Sequence, residues 1–325
     1  MGKLHISSTP HIHQKGSSTR SIMLDVVIAM LPATVAGIVI FGLKALWTVI
    51  ACTASAVLAE FIFNLCVHKK QTIGDFSAVV TGLLLALNLS TEVALWQCVV
   101  GSVFAIIVVK CFFGGLGKNI VNPAITARVF MLLTFGSVGA VAKVAPLFSL
   151  DFLGKAAPEL TASATPLAAL NQGAEIAASE APFILQLLLG THGGTIGETC
   201  AIALILGFVY LVARKVIQWY VPVSYVATVF VCYLISGGFD VTFAVQHVLA
   251  GGLLLGAIFM ATDYVTTPNT GKGRVVFCIG AGLLTFAIRQ FGMFPEGVSI
   301  AILTMNLLTP FISDFTKRKT LGGVK

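Results

Sequence analysis

Charge is what this sequence has least of: 10% of its 325 residues are charged, and Asp and Glu together number only 13. A soluble domain carries about a quarter charged residues, so the scarcity excludes a water-facing surface over most of the chain. Cysteine occurs seven times, at 52, 66, 98, 111, 200, 232 and 278, without a C-x-x-C pair. That excludes iron–sulfur and zinc sites built on local spacing and leaves most of these thiols as small apolar residues. Cys111, at a helix end, is the one placed to ligate something shared with another chain. The six histidines form no i, i+4 pair, and His11 and His13 read as surface residues of a polar tail. Gly114-Gly115-Leu116-Gly117-Lys118-Asn119 lacks the hydroxyl after Lys and the preceding strand that a phosphate-binding loop needs. Residues 1–20 lack an apolar core and a small-residue cleavage site, so they do not read as a cleaved signal peptide.

What is present is apolar: 57% hydrophobic residues and a mean hydropathy of +0.96. The fold class expected is all-α, a polytopic membrane protein. Apolar runs of about 20 residues match a bilayer core about 30 Å thick. Ten such runs lie at 22–42, 46–66, 76–91, 95–113, 120–142, 198–214, 217–236, 243–260, 275–290 and 297–314, some short enough to be half-helices. The run Phe183–Leu189 is too short to span and reads as re-entrant or interfacial.

Basic residues set the orientation. With a cytoplasmic N-terminus, Lys3, Lys15, Arg20, Lys69, Lys70, Lys110, Lys118, Arg214, Lys215, Lys272, Arg274, Lys317, Arg318, Lys319 and Lys325 fall inside, fifteen of the 20 Lys and Arg. Lys44, Lys143, Lys155 and Arg289 fall outside, and Arg128 lies within a span. Both termini are then cytoplasmic by the positive-inside rule. The net charge of +7 reads as topology and contact with anionic lipid, with no sign of nucleic-acid binding.

A loose internal repeat relates Gly82-Leu83-Leu84-Leu85-Ala86-Leu87 to Gly252-Leu253-Leu254-Leu255-Gly256-Ala257, an offset of 170 residues. It divides the chain into a tail (1–21), a first five-helix half (22–142), an outer loop (143–197), a second five-helix half (198–314) and a second tail (315–325). An odd number of spans per half makes the halves inverted, the arrangement that puts sites at their interface. The clusters Gly114-Gly115-Leu116-Gly117, Gly193-Gly194 and Gly251-Gly252 are expected to mark close helix packing, with broken helices the alternative.

Ionisable groups in spans are costly and mark function or pairing. Glu60 in the second span and Arg128 in the fifth lie towards the same side, and a Glu60–Arg128 pair is expected ahead of an ion path lined by either. Asp25 reads as structural, Glu198 as a helix cap, and Asp263 as a turn or partner contact. In the outer loop, Thr165 followed by Pro166 has the pattern of an N-cap and first helical residue.

Several long motifs resemble those of the D subunits of bacterial Rnf electron-transport complexes. They are Ser8-Thr9-Pro10-His11-Ile12 with Ile22-Met23-Leu24-Asp25-Val26, Gly114–Asn119 with Asn122-Pro123-Ala124, Gly193-Gly194-Thr195-Ile196-Gly197-Glu198-Thr199, and Phe259–Pro268. The B subunit of the sodium-pumping NADH:quinone reductase is similar but longer at its N-terminus. In that family the triplet Ser163-Ala164-Thr165, with Pro166 after it, corresponds to a flavin-attachment motif. The resemblance implies FMN bound covalently through a phosphoester to Thr165, added by a separate flavin transferase. A helix N-terminus at Thr165 would favour that phosphate. It further implies riboflavin as a second, non-covalent flavin and the other Rnf complex subunits (A, B, C, E and G) as partners. The complex would pass electrons between ferredoxin and NAD and move sodium or protons across the bacterial inner membrane. The rival class is a non-redox, inverted-repeat channel or transporter for a small solute, which intramembrane carboxylates and broken helices would suit equally.

Overall fold

The computed structural model describes residues 18–139, 167, 170, 183–190, 192–292 and 297–317. These residues are helical, without a β-strand among them. The helices are α1 (Thr19–Phe41), α2 (Leu43–Cys66), α3 (Ser77–Leu87), α4 (Leu95–Val103, continued as a π-helix over Phe104–Cys111), α5 (Pro123–Thr134) and α6 (Phe183–Leu189). They continue with α7 (Ala201–Ala213), α8 (Tyr220–Ser236), α9 (Val241–Leu249), α10 (Leu253–Leu255, continued as a π-helix over Gly256–Met260), α11 (Gly271–Phe291) and α12 (Val298–Phe315).

Four of these, α1, α2, α11 and α12, are long and apolar enough to cross a bilayer, and α9 with α10, bent by 67° at their break, is so only as a pair, a broken span or a re-entrant loop. Five shorter apolar helices, α3, α4, α5, α7 and α8, complete the ten elements expected from hydropathy, and α6 is the short helix expected at 183–189. The predicted spans at 76–91 and 120–142 prove much shorter as helices. Helix α3 stops at Leu87, where the carbonyls of Leu87 and Leu89 accept the N–H groups of Gly197 and Ile196. Helix α5 starts at Asn122, whose side chain accepts from the N–H groups of Ala124 and Ile125, with Pro123 in the first helical position.

The burial pattern is that of a membrane protein. Large apolar residues such as Leu31, Val35, Leu58 and Phe311 face outward. Polar groups gather inside, among them Glu60, Asn88, Lys110, Glu198 and Arg289. Each long span buries only 33–39% of its most apolar stretch, so the remaining apolar surface needs lipid beside it.

The glycine clusters correct an expectation. Gly114, Gly115 and Gly117 have φ of +111°, +96° and +86° and form a turn between α4 and α5. Gly251, at φ +74°, lies in the break between α9 and α10. Left-handed backbone, which glycine adopts without steric cost, explains both clusters better than helix packing does. Gly193 and Gly194 lie in the turn before α7.

Candidate functional site

Among the buried charged groups of the described residues, two clusters lie between the helices towards which the sequence pointed, and neither is the pair expected. Glu60 of α2 is 2% exposed and meets Lys110, also 2% exposed, with Lys110 Nζ 2.9 Å from Glu60 Oε2. Lys110 Nζ also donates to Ser77 Oγ at 2.6 Å. The other carboxylate oxygen, Oε1, accepts from Thr72 Oγ1 at 2.5 Å, and Thr72 in turn accepts from Asn64 Nδ2 at 3.0 Å. Ser77 Oγ donates to Asp75 Oδ1 at 2.5 Å. The ammonium and both carboxylate oxygens thus have hydrogen-bond partners, which is what lets an ion pair persist in a low-dielectric interior.

Lys110 is the residue that sequence reasoning missed, counted there only among the basic residues of the inner side. The cause is local geometry. Over Phe104–Cys111 the backbone forms i→i+5 hydrogen bonds, as from Phe112 N–H to Ile107 O (3.0 Å). The wider turn changes which face the following side chains occupy and brings Lys110 inward. A lone Lys inside Ile106-Ile107-Val108-Val109-Lys110-Cys111-Phe112-Phe113 is the signal that could have found it.

Arg128 has other partners than Glu60. Its Nη1 donates to Asn88 Oδ1 at 2.8 Å and to Ser299 Oγ at 3.2 Å, joining α5, the end of α3 and the first turn of α12. Asn88 Nδ2 bonds Leu84 O at 2.7 Å and contacts Met260 Sδ at 3.9 Å. A Cβ placed on Gly252 would lie 3.4 Å from Glu198 Oε2 and 3.7 Å from Arg128 Nη1, so the carboxylate and the guanidinium converge on the α9–α10 break. Glu198 does not cap a helix as expected. Helix α7 begins three residues later, and Glu198 Oε1 instead accepts from the N–H of Thr195 within its own turn.

A partly open cavity adjoins the Glu60–Lys110 cluster, lined by Lys110, Ser77, Asn119, Asn122, Asp263 and Tyr264 among largely apolar neighbours. Asp263 forms the expected turn, accepting from Val265 N–H and Thr266 Oγ1, and desolvation holds its carboxyl above the usual range against those two bonds. With its amide oriented by its neighbours, Asn306 donates to Thr266 O at 3.2 Å and accepts from Asn122 N–H at 3.3 Å. Two motifs far apart in sequence therefore meet at the middle of α12. Asp25 is structural, as expected: it accepts from Tyr210 Oη at 3.0 Å and from Arg214 at 3.3 Å, tying α1 to α7.

The attachment motif, Ser163, Ala164, Thr165 and Pro166, lies outside the described residues. Leu167 is described, and it is fully buried against Leu187 and Ala250. Cys111 is buried beside Ala56, Ala59 and Ile106, and among the described residues no three His, Cys, Asp or Glu side chains gather as a metal site.

The model of the NQR2, RnfD, RnfE family matches residues 5–322. The chain is 43% identical over 325 residues to the D subunit of the Na(+)-translocating ferredoxin:NAD(+) oxidoreductase complex of Acetobacterium woodii, covering 99% of this chain and 96% of the relative. It is 38% identical to the D subunit of the proton-translocating ferredoxin:NAD(+) oxidoreductase complex of Clostridium ljungdahlii, covering 98% and 96%. It is 34% identical to the D subunit of the ion-translocating oxidoreductase complex of Citrobacter koseri, covering 98% of each.

Proposed function

The chain belongs to the NQR2, RnfD, RnfE family, and from that membership we propose that it is the membrane-embedded D subunit of an Rnf complex. That complex passes electrons between ferredoxin and NAD and couples them to ion movement. The observation that carries this reading is the 43% identity to the D subunit of a ferredoxin:NAD(+) oxidoreductase complex over nearly the whole of both chains. No dinucleotide-binding motif stands in the sequence, so ferredoxin and NAD are handled by the other Rnf subunits. The ion itself is not read from likeness: of two full-length relatives one is named for sodium and one for protons. Transport by vesicles with and without sodium distinguishes them.

Within this reading Thr165 carries FMN through a phosphoester bond, and a flavin transferase makes the attachment. Once attached, FMN supplies one- and two-electron transfer, and the chain supplies position and electrostatics. The donor set suits the group, since the motif offers a hydroxyl and the chain is anchored two residues later at Leu167. Riboflavin is the second cofactor. The cavity between Lys110 and Asp263 supports this, because it combines apolar walls with Asn119, Asn122 and Ser77 as hydrogen-bonding groups. Both termini lie in the cytoplasm and residues 143–197 on the outer face.

Thr165→Ala tests the core of this proposal. It is expected to abolish ultraviolet-excited flavin fluorescence of the denatured band while leaving the chain inserted, because a cap hydroxyl contributes only about 0.5–2 kcal/mol. Thr165→Ser keeps the oxygen and should retain some flavin. A fluorescent Ala variant would overturn the assignment, and a wild-type band without flavin would favour the solute-channel reading.

A further inference from the structure

Leu167 lies two residues beyond the hydroxyl proposed to carry FMN, and none of it is exposed. It packs with Leu187 of α6 and with Ala250, flanked by Leu170 and Leu249. The floor of this socket is the break between α9 and α10. A Cβ on Gly251 would lie 3.1 Å from Leu167 Cδ2 and 3.0 Å from Arg289 Nη2. The φ of +74° favours glycine there, and a Cβ would crowd the ends of both side chains.

Arg289, near the end of α11 and 2% exposed, braces the break. Its Nη1 donates to His247 O at 2.8 Å and its Nη2 to Ala250 O at 3.2 Å. These are carbonyls at the C-terminal end of α9, which the interrupted helix cannot satisfy itself. A buried guanidinium is costly and persists where the surrounding structure pairs it, and a glycine lets the chain turn left-handed at the break without steric cost. Here both serve the surface on which Leu167 sits.

We propose that this socket anchors the attachment segment: Leu167 plugs it, and a cofactor esterified at Thr165 is thereby restrained close to the α9–α10 break. Arg289 is a positioning residue that acts by shaping the socket. The inference rests on the reading of Thr165 as the attachment residue. Two residues of chain reach at most about 7 Å, so fixing Leu167 limits how far a cofactor tethered at Thr165 can lie from the socket. Confinement matters because electron transfer needs a reproducible distance to the donor and acceptor, as any positioned reaction does.

The test uses the full-length chain produced together with a flavin transferase. Gly251→Val fills the socket from its floor and Leu187→Ala opens its wall; both leave the attachment segment unchanged. Flavin fluorescence of the denatured band should match the wild type in each variant. In the folded protein, the anisotropy of flavin emission should fall and its quenching by iodide should rise several-fold. Leu187→Met, which keeps side-chain volume, should behave as wild type. Unchanged anisotropy and quenching in both Gly251→Val and Leu187→Ala would overturn the socket while Thr165 remained the attachment site. If Gly251→Val does not accumulate, Leu187→Ala decides alone. A wild-type band without fluorescence would remove the attachment reading, and the socket's role with it.

Discussion

Glu60 and Lys110 show what a charged residue needs in order to stay inside a membrane protein. They are 50 residues apart in sequence and meet at 2.9 Å with both side chains 3% exposed. Removing one partner of such a pair strands the other charge, at a cost of about 3–5 kcal/mol, whereas removing both can be nearly neutral. Lys110→Met is therefore expected to lower the yield of folded protein in the membrane and its melting temperature, and adding Glu60→Gln should restore much of both. Glu60→Gln should not rescue Arg128→Leu, because Arg128 is held by Asn88 and Ser299. Recovery of Arg128→Leu by Glu60→Gln, followed by thermal unfolding in detergent, would show that the two charges interact after all. Glu60 was legible in sequence because it stands alone in an apolar run. Lys110 also stands alone in an apolar run, but it was counted with the inner basic residues, and a π-turn leaves no mark in hydropathy to show that it turns inward.

At the scale of helices, legibility depended on local chemistry. The start of α5 at Asn122-Pro123 carries a local signal that the span 120–142 did not use: a short polar side chain can accept the first free N–H groups, and proline suits the first helical position. The length of α3 was not readable, since Gly82-Leu83-Leu84-Leu85-Ala86-Leu87-Asn88-Leu89 stays apolar beyond the last helical turn. What ends α3 is the distant segment at Ile196 and Gly197, which takes over its carbonyls. The break at Gly251 was marked by glycine, but glycine alone does not distinguish close packing from a left-handed turn. Asn122→Ala removes two hydrogen bonds of 3.0 and 3.4 Å at the N-terminus of α5. It is expected to cost about 0.5–2 kcal/mol, seen as a lower melting temperature with the fluorescence of a Thr165-linked flavin unchanged. Asn122→Asp, which keeps the accepting oxygen, should lose less. Equal losses in the two variants would place the role of Asn122 elsewhere than in the cap.

For the whole molecule the informative contacts are those between residues about one repeat apart. Arg128 bonds Ser299 at a separation of 171 residues and Asn88 contacts Met260 at 172, close to the 170-residue offset of the sequence repeat. A residue touches its own counterpart only on the axis that relates two halves, so these contacts support a pseudo-two-fold axis through the Arg128 cluster. On the proposed arrangement of five spans per half that axis lies in the membrane plane, and the proposed topology has the segment 143–197 on the face opposite both termini. The basic residues give the same orientation independently. Burial of Lys110 and Arg289 removes one residue from the inner count and one from the outer, leaving the excess inside. A cysteine introduced as Ala157→Cys should therefore react with a membrane-impermeant thiol reagent in intact cells whose outer membrane, if any, is permeabilised. The buried Cys52, Cys98, Cys111 and Cys278 give little background, and labelling of the unsubstituted chain sets the remainder. Labelling of Ala157→Cys only after lysis would place the segment in the cytoplasm, contradict the five-plus-five arrangement, and move any cofactor at Thr165 to the other side of the membrane.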